Sequence, residues 1–560
     1  MQVAEYIETP RVDQEVLQGF RISPQQEHLW IQQQAGQSKC YHASCAVMLD
    51  GFVDVDKLKA SFERVIRRHE ILRTSFRCLP GMRLPVQVIN ESSAFSFEQL
   101  DLRGLETLER SNFDYSHGPV LHVCLVRLGA AQSMLLITLP SLYTDQQGMG
   151  NLVREVSRDY GMLDHAEAFE VPAIQYADVA EIFHSLLEGD DTETGREYWR
   201  QWRSAERGVL SLAGQSRKES GAFAPERFEL EVSEELQERV GGLAREFGTS
   251  EELVLLASWQ TLLWRLSNGQ EVVIGKQAAG RSYGLETALG LFEKYLPLRA
   301  VVEEGKQFRE LLQRTRAQVE ELEKWQEYFS WGAESGESYL AVGFEYQEQS
   351  AAWQAGGVRW QVTEQYACTE GYELKLVCVG QGGRAQKLEL HYDGGRYEAG
   401  GVRVLGAQYE QLLASVSVEP EAALEQLGLV NAAEREQLLR EQQGSVSEYP
   451  QQCVHELFEA QVRERPEAIA VVSGAEQLSY RELNERANEV AVQLQGLGVG
   501  PEQLVRAAGA VSGVAGGVVG DPESWGRLSA AGPGLSTRAA ALHGAGCAGA
   551  GAVGGPRGGE

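Results

Sequence analysis

Apolar residues recur at helical spacing in some stretches of this chain and fall in short unbroken runs in others. Val55, Leu58, Phe62, Val65 and Ile66 lie on one face, as do Met149, Leu152, Val153, Val156 and Tyr160, so each stretch predicts an amphipathic helix. Residues 133–140 carry Met134, Leu135, Leu136 and Ile137 in succession, the pattern of a buried strand. Residues 253–266 are apolar on most faces and include Trp259 and Trp264, which predicts a helix inside a large core. Val272, Val273 and Ile274 predict a short strand ended by Gly275, with further strands at 339–346, 372–379 and 388–392. The strongly charged stretch 181–208 reads as an exposed connection. Helix and strand alternate without a repeat, which predicts an α/β or α+β fold in two lobes.

A boundary is expected at 436–453, where Gln, Ser and Pro predominate, with a new unit from Val454. From Arg506 onward the chain is rich in Gly and Ala and nearly free of large apolar residues. Such a stretch cannot offset its ordering entropy, so a disordered tail is expected over 506–560.

Composition then narrows the function. The 560 residues are 43% hydrophobic and 23% charged, which is globular and large enough for several domains. A net charge of -29 disfavours nucleic acid and anionic membrane as partners. No apolar run is long enough to span a bilayer, and residues 1–10 lack the apolar stretch of a signal peptide. The eight cysteines form no CxxC pair and fit no zinc spacing, so no metal site is expected. Scattered thiols in a large acidic chain imply a reducing, cytoplasmic setting.

Several strings occur in a fixed order. Ser23, Gln26, Leu29 and Trp30 fit SxxQxxLW, and Arg68-His69-Glu70-Ile71-Leu72-Arg73-Thr74-Ser75-Phe76 nearly completes RHExLRTxF. Phe113-Asp114 and Gly118-Pro119 fit FDxxxGP, and Tyr176-Ala177-Asp178 resembles YxDY. Gly280-Arg281, Leu289-Gly290-Leu291-Phe292 and Leu296-Pro297-Leu298-Arg299 fit GR…IGxFVNTLPLR. Together they resemble the condensation domain of nonribosomal peptide synthetases. That resemblance implies a chloramphenicol acetyltransferase-like fold: a lobe over 18–190 faces a lobe over 191–435 across a central tunnel. Donor and acceptor thioesters would arrive on phosphopantetheine arms of partner carrier proteins from neighbouring synthetase modules, and the chain would bind no cofactor itself. At the tunnel centre the family carries HHxxxDG, whose second His positions or deprotonates the attacking amine.

Here the sequence departs from the pattern. The equivalent stretch is Pro140-Ser141-Leu142-Tyr143-Thr144-Asp145-Gln146. Asp145 matches the family Asp, which holds local structure by pairing with a nearby Arg, and Arg281 is expected to pair with a carboxylate near the tunnel. Both histidines are replaced, by Pro140 and Ser141; Gln146 stands at the Gly, and Lys294 at a usual Asn. A serine has no useful basicity near neutral pH. A positioned base is worth roughly 10²–10⁴ in rate, or about 3–5 kcal/mol, whereas positioning alone can supply about 7–11 kcal/mol. Catalysis is therefore expected to be impaired or non-standard. Ser141 as a nucleophile would need a base within reach, and no GxSxG elbow is present. Tyr143 with Asp145 is a further candidate proton path. His69, Glu70 and Arg73 sit at a helix end, where bracing the lobe is the expected role.

A second resemblance begins at Val454-His455-Glu456-Leu457-Phe458 and continues through Arg465-Pro466-Glu467 and Leu478-Ser479-Tyr480-Arg481-Glu482-Leu483-Asn484. It is similar to the start of an amino-acid adenylation domain with its LTYxELN motif, over 454–505. No phosphate-binding loop follows, so no complete ATP site is expected. Residues 521–536, back-translated with GC-rich codons and read one nucleotide later, can give ILKAGGAYLPLDPGY; residues 515–520 can give LVGLLG. These strings resemble the adenylation core, which implies a frameshift near Val505–Arg506. Three functions stand open: an amide-forming condensation enzyme, a non-catalytic docking module for carrier proteins or a modifying enzyme, and a remnant of an amino-acid-activating ligase.

Overall fold

The computed structural model describes residues 19–35, 40–78, 81–91, 95–101, 113–116, 118, 120–162, 172–189, 193–203, 212, 223–230, 232–267, 271–282, 284–330, 341–441, 452, 454–473, 475–498, 504–505 and 528–529. The chain divides into two units, Met1–Leu439 and Arg440–Glu560.

The first unit opens with β1 (Phe20–Arg21), α1 (Pro24–Ala35), β2 (His42–Asp50), α2 (Val55–Arg68), β3 (Thr74–Arg77), β4 (Val86–Ile89), β5 (Ser96–Asp101), β6 (His122–Arg127), β7 (Gln132–Pro140) and α3 (Gln146–Met162). It continues through α4 (Tyr176–Glu188), α5 (Glu193–Arg203), β8 (Pro225–Leu230), α6 (Glu234–Glu246), α7 (Glu251–Leu266), β9 (Val272–Ala278) and β10 (Lys294–Ala300). The last elements are α8 (Phe308–Trp325), β11 (Val342–Glu348), β12 (Trp353–Ala355), β13 (Val358–Ala367), β14 (Leu374–Gln381), β15 (Arg384–Asp393), α9 (Ala399–Val418) and α10 (Ala432–Glu441).

Two six-stranded sheets organise the unit, in the orders β12-β13-β2-β7-β6-β5 and β10-β9-β11-β14-β15-β8. β12 and β13 come from late in the chain yet complete the first sheet, with β13 antiparallel to β2 from Arg359 opposite Asp50 to Ala367 opposite Ala43. The sheet-forming segments are thus not two consecutive blocks of sequence. On one face of the first sheet, Ala43, Cys45, Val47, Leu135, Ile137 and Leu139 pack with α2 and α3. On one face of the second, Ile274, Leu298, Phe344, Leu376 and Leu390 pack with α6, α7, α8 and α9. The opposite faces are polar and meet: His42 and Tyr366 of the first sheet lie 5.6 Å apart by ring centroid, and Tyr366 lies 5.9 Å from His391 of the second.

α2 shows how the predicted periodicity becomes structure. The Asp54 side chain caps it, accepting from the backbone N–H groups of Asp56 and Lys57; Arg67 and Arg68 occupy the last turn, and Leu58, Phe62, Val65 and Ile66 are buried. The charged stretch 181–208 is not a connection where it is described. It carries most of α4 and all of α5. α4 buries Tyr176, Val179, Ala180 and Phe183 at helical spacing, and the charges that mask the pattern occupy its outer face. Gly275 does not end its strand either: β9 runs on to Ala278, with Gly275 opposite Pro297 and Gly343.

The second unit contains α11 (Val454–Glu464), a hairpin of β16 (Ile469–Ser473) with β17 (Glu476–Ser479), and α12 (Tyr480–Gly496). The unit expected from Val454 thus mixes helix and strand. Ser479 and Glu482 form a reciprocal capping box at the start of α12, which gives the SYRE string a local structural reason. The expected tail lies outside the described residues except for β19 (Leu528–Ser529), which pairs with β18 (Leu504–Val505).

Candidate functional site

β7 ends at Pro140, whose Cα faces His42 across the sheet. Proline supplies no ladder donor, and here it needs none because the strand stops. The chain then turns through Ser141–Asp145 and enters α3. Ser141, Leu142, Tyr143 and Asp145 are all 0% exposed.

Asp145 is the anchor of this turn. Its carboxylate accepts from Arg281 Nη1 at 2.7 Å and Nη2 at 2.6 Å. It also accepts from the backbone N–H groups of Gly148 at 2.7 Å, Phe292 at 2.8 Å and Glu293 at 3.0 Å. A buried carboxylate is tolerable only when paired and fully hydrogen-bonded, and this one is. The result ties β7, α3 and the 281–293 segment together. Gly148 allows the approach: a Cβ there would stand 2.5 Å from Thr144 Oγ1.

Ser141 is held by its backbone, whose N–H donates to the Tyr41 carbonyl at 3.1 Å. Its buried Oγ has no hydrogen-bond partner among the described residues. Gln146 Oε1 is also buried and unpartnered, while the Gln146 carbonyl accepts from the Gln365 side chain. Tyr143 turns elsewhere: its hydroxyl donates to the Thr74 carbonyl at 3.0 Å, and its ring meets Phe76 edge-on at 5.1 Å. Burial pushes its hydroxyl well above the ordinary value. The structure therefore brings Asp145 and Arg281 together at the end of the turn that begins at Ser141, and does not bring the Tyr143 hydroxyl to Ser141.

His69 and Arg73 lie apart from this turn. His69 Nε2 and Arg68 both reach Glu155 at 2.8 Å, joining the end of α2 to α3. Burial alone would raise the Glu155 carboxyl, but His69 and Arg68 outweigh it and hold it below the usual value. Arg73 donates to the Asn90 carbonyl at 2.6 Å and reaches Glu70 at 3.4 Å. Lys294 donates to the Gln326 carbonyl at 2.6 Å and stands 3.7 Å from Glu327; burial lowers its pKa against the pull of that carboxylate.

The polar face of the second sheet adds residues that motif reading missed. Lys375 bonds Glu345 at 2.6 Å, and Tyr295 donates to the same carboxylate at 2.8 Å. Beside them, the Glu293 carboxyl accepts from the Thr369 hydroxyl and from Gln277 Nε2. Burial first, then Glu345 and Asp145, push it up to about 8. The available signal was a carboxyl where GxFVNTLP has an aliphatic residue. Among the described residues no His/Cys/Asp/Glu group is arranged to hold a metal, and no helix is long and apolar enough to cross a membrane.

The family model described as Condensation domain matches residues 17–439. The chain belongs to the condensation-domain family. The model described as AMP-binding enzyme matches 458–509, so the condensation domain is followed by the start of an AMP-binding domain. A linear gramicidin synthase polypeptide of Brevibacillus parabrevis is 29% identical over 516 residues, which is 86% of this chain and 10% of that protein. The chain thus spans about a tenth of the length of this relative. The condensation domain from the Monacolin K polyketide synthase MokA shares the fold at a TM-score of 0.64 and 19% identity, covering 73% of this chain and 99% of that one. The X-domain from teicoplanin biosynthesis, solved in complex with OxyB, gives 0.62 at 19% identity over 76% and 98%.

Proposed function

We propose that this condensation domain joins two carrier-tethered substrates, an acyl or peptidyl thioester and an aminoacyl thioester, by forming an amide with an altered proton path. The observation that carries this reading is the intact Asp145–Arg281 anchor around a turn whose base position holds an unpartnered Ser141 hydroxyl. The partners are peptidyl carrier domains of neighbouring modules. Their phosphopantetheine arms deliver the substrates, and the acidic chain works in the cytoplasm.

The parts run as a lobe over 18–190, a lobe over 191–435 that lends β12 and β13 to the first sheet, a linker over 436–453, and an adenylation start over 454–505. The tail from Arg506 is out-of-frame translation of further adenylation sequence. Sequencing the coding DNA tests this last point; absence of a KAGGAYLPLDP-like string from the alternate frame refutes it.

The test of function is amide formation by the full chain with donor and acceptor loaded on carrier proteins, comparing wild type, Ser141→Ala and Ser141→His. Wild-type product little changed in Ser141→Ala supports an enzyme that does not use the serine. Product only from Ser141→His means that the base was lost. The similarity to an X-domain solved with OxyB favours a second reading, a docking module for a modifying enzyme. Silence of all three proteins, with carrier binding intact, supports that reading instead.

A further inference from the structure

The SxxQ string at the start of α1 forms a capping box. Ser23 stands just before the helix, and its Oγ accepts from the Gln26 backbone N–H at 3.1 Å. The Gln26 side chain folds back, so that its Oε1 accepts from the Ser23 N–H at 3.0 Å. The other end of the same amide points away from the helix: Nε2 donates to the Leu142 carbonyl at 2.8 Å. A reversed amide would set donor against donor at Ser23 and acceptor against acceptor at Leu142, so the partners fix its orientation. Ser23, Gln26 and Leu142 are all 0% exposed.

Leu142 sits inside the turn that follows β7. Its peptide bond with Tyr143 is held at both ends, because the Tyr143 N–H donates to the Pro140 carbonyl at 3.0 Å while Gln26 holds the Leu142 oxygen. Ser141, next to it, is tied through its own N–H to Tyr41. The Ser23 hydroxyl carries the network on into α4. It lies 2.8 Å from the Tyr176 hydroxyl, which gives its proton to the Leu291 carbonyl, so Ser23 is the donor between the two. Leu291 precedes Phe292 and Glu293, whose N–H groups bind Asp145. One capping box therefore reaches both the turn, at Leu142, and the segment that anchors it, at Leu291.

We propose that Gln26 is a positioning residue for amide formation, which acts by holding the Leu142 carbonyl and so fixing the backbone on which Ser141 is carried. This rests on the amide-forming reading above. Gln26 touches no reacting atom in this scheme; it works through the turn. Position 141 holds no imidazole, so placement of the two reactants is the source of rate left to the turn. Placement is a large source, with effective molarities of about 10⁵–10⁸ M for well-oriented groups, and it is sensitive to small shifts of the frame.

The test follows amide formation by the full chain from donor and acceptor loaded on carrier proteins, with kcat taken per folded protein from circular dichroism. Gln26→Met keeps the length of the side chain and loses both of its bonds. Its kcat should fall roughly 10²-fold, the cost of about 1 Å of misplacement, while KM for the loaded acceptor carrier stays within about two-fold. Gln26→Glu gives a readout that packing alone would not move. Its protonated carboxyl can donate to the Leu142 carbonyl and still accept from Ser23, whereas the ionised form sets a charge against that carbonyl. Burial lifts such a carboxyl above its usual value of about 4.3. The Gln26→Glu rate should therefore approach wild type at low pH and fall as pH rises, a limb that wild type lacks. The ionisable groups around position 26 are Glu27 with His184, Arg21 and Glu188 on one side, and Tyr176 with Asp145 and Arg281 on the other. Wild type carries all of them, so the ratio of the two profiles isolates position 26. An unchanged kcat per folded protein in Gln26→Met overturns the proposal, as does a loss that appears in KM alone. If Gln26→Met does not fold, the Gln26→Glu limb decides: a fall in rate ahead of any unfolding supports the proposal, and a fall that only tracks unfolding, or no fall, overturns it. A wild-type chain that makes no amide fails the amide-forming reading and takes this proposal with it, and the wild-type arm alone shows this.

Discussion

Asp145→Asn tests the central claim that the turn after β7 is held by one buried ion pair. The substitution keeps the shape and one carbonyl oxygen but removes the charge. Arg281, whose side chain is 2% exposed, is then left as a buried cation facing an amide. Breaking a buried pair by removing one partner costs about 3–5 kcal/mol, because the survivor stays buried and uncompensated. The backbone donors of Gly148, Phe292 and Glu293 also compete for a single remaining acceptor, which places Asp145→Asn at the upper part of that range. Urea unfolding of the full chain, followed by tryptophan fluorescence, measures the loss. The double variant Asp145→Asn/Arg281→Met removes both charges, so its loss should be smaller than the sum of the single losses by about 2 kcal/mol or more. A single-variant cost below about 1 kcal/mol, or strict additivity in the double, would falsify the account of Asp145 as the anchor.

Three other outcomes follow from described geometry. Glu155 is held below its ordinary 4.5, so its contribution is complete above that value and is lost as pH falls through the folded value. Glu155→Gln should therefore flatten the acid limb of stability against pH in a denaturation series. Gly280 has φ +63° and would place a Cβ 2.1 Å from the Phe292 carbonyl oxygen, so Gly280→Ala should lower the melting temperature, with about 1–3 kcal/mol from backbone conformation alone. Ser479→Ala removes half of the capping box on α12 and should cost the second unit about 0.5–2 kcal/mol, read as loss of amide exchange protection in the first turn of that helix.

Local pattern carried much of the fold. The faces of α2 and α3 are read directly from their apolar spacing, because burial on one side of a helix leaves that trace, and α7 is read from being apolar on most faces, because it is buried nearly all round. β13 is different. Val358, Trp360 and Val362 alternate with exposed Arg359, Gln361 and Thr363, yet nothing local says that their partner is β2. α4 and α5 were hidden by charge that sits on their outer faces. At the site, Asp145 and Arg281 were each legible from a separate motif, while their pairing with one another is what the structure adds. The placement of Tyr143 and Glu293 was not, because each depends on groups distant in sequence: Thr74 for the tyrosine hydroxyl, and Thr369 and Glu345 for the carboxyl.

The late arrival of β13 has a consequence for how the chain is made. A ribosome delivers β2 and β7 early, but the strand that flanks β2 on its other side ends only at Ala367. At about 5–20 residues per second, the nascent first sheet waits on the order of tens of seconds with an open edge. An open edge invites pairing with other chains during that interval. Fragments that stop before residue 358 should therefore aggregate on expression, and supplying 341–393 as a separate segment should rescue them by strand addition.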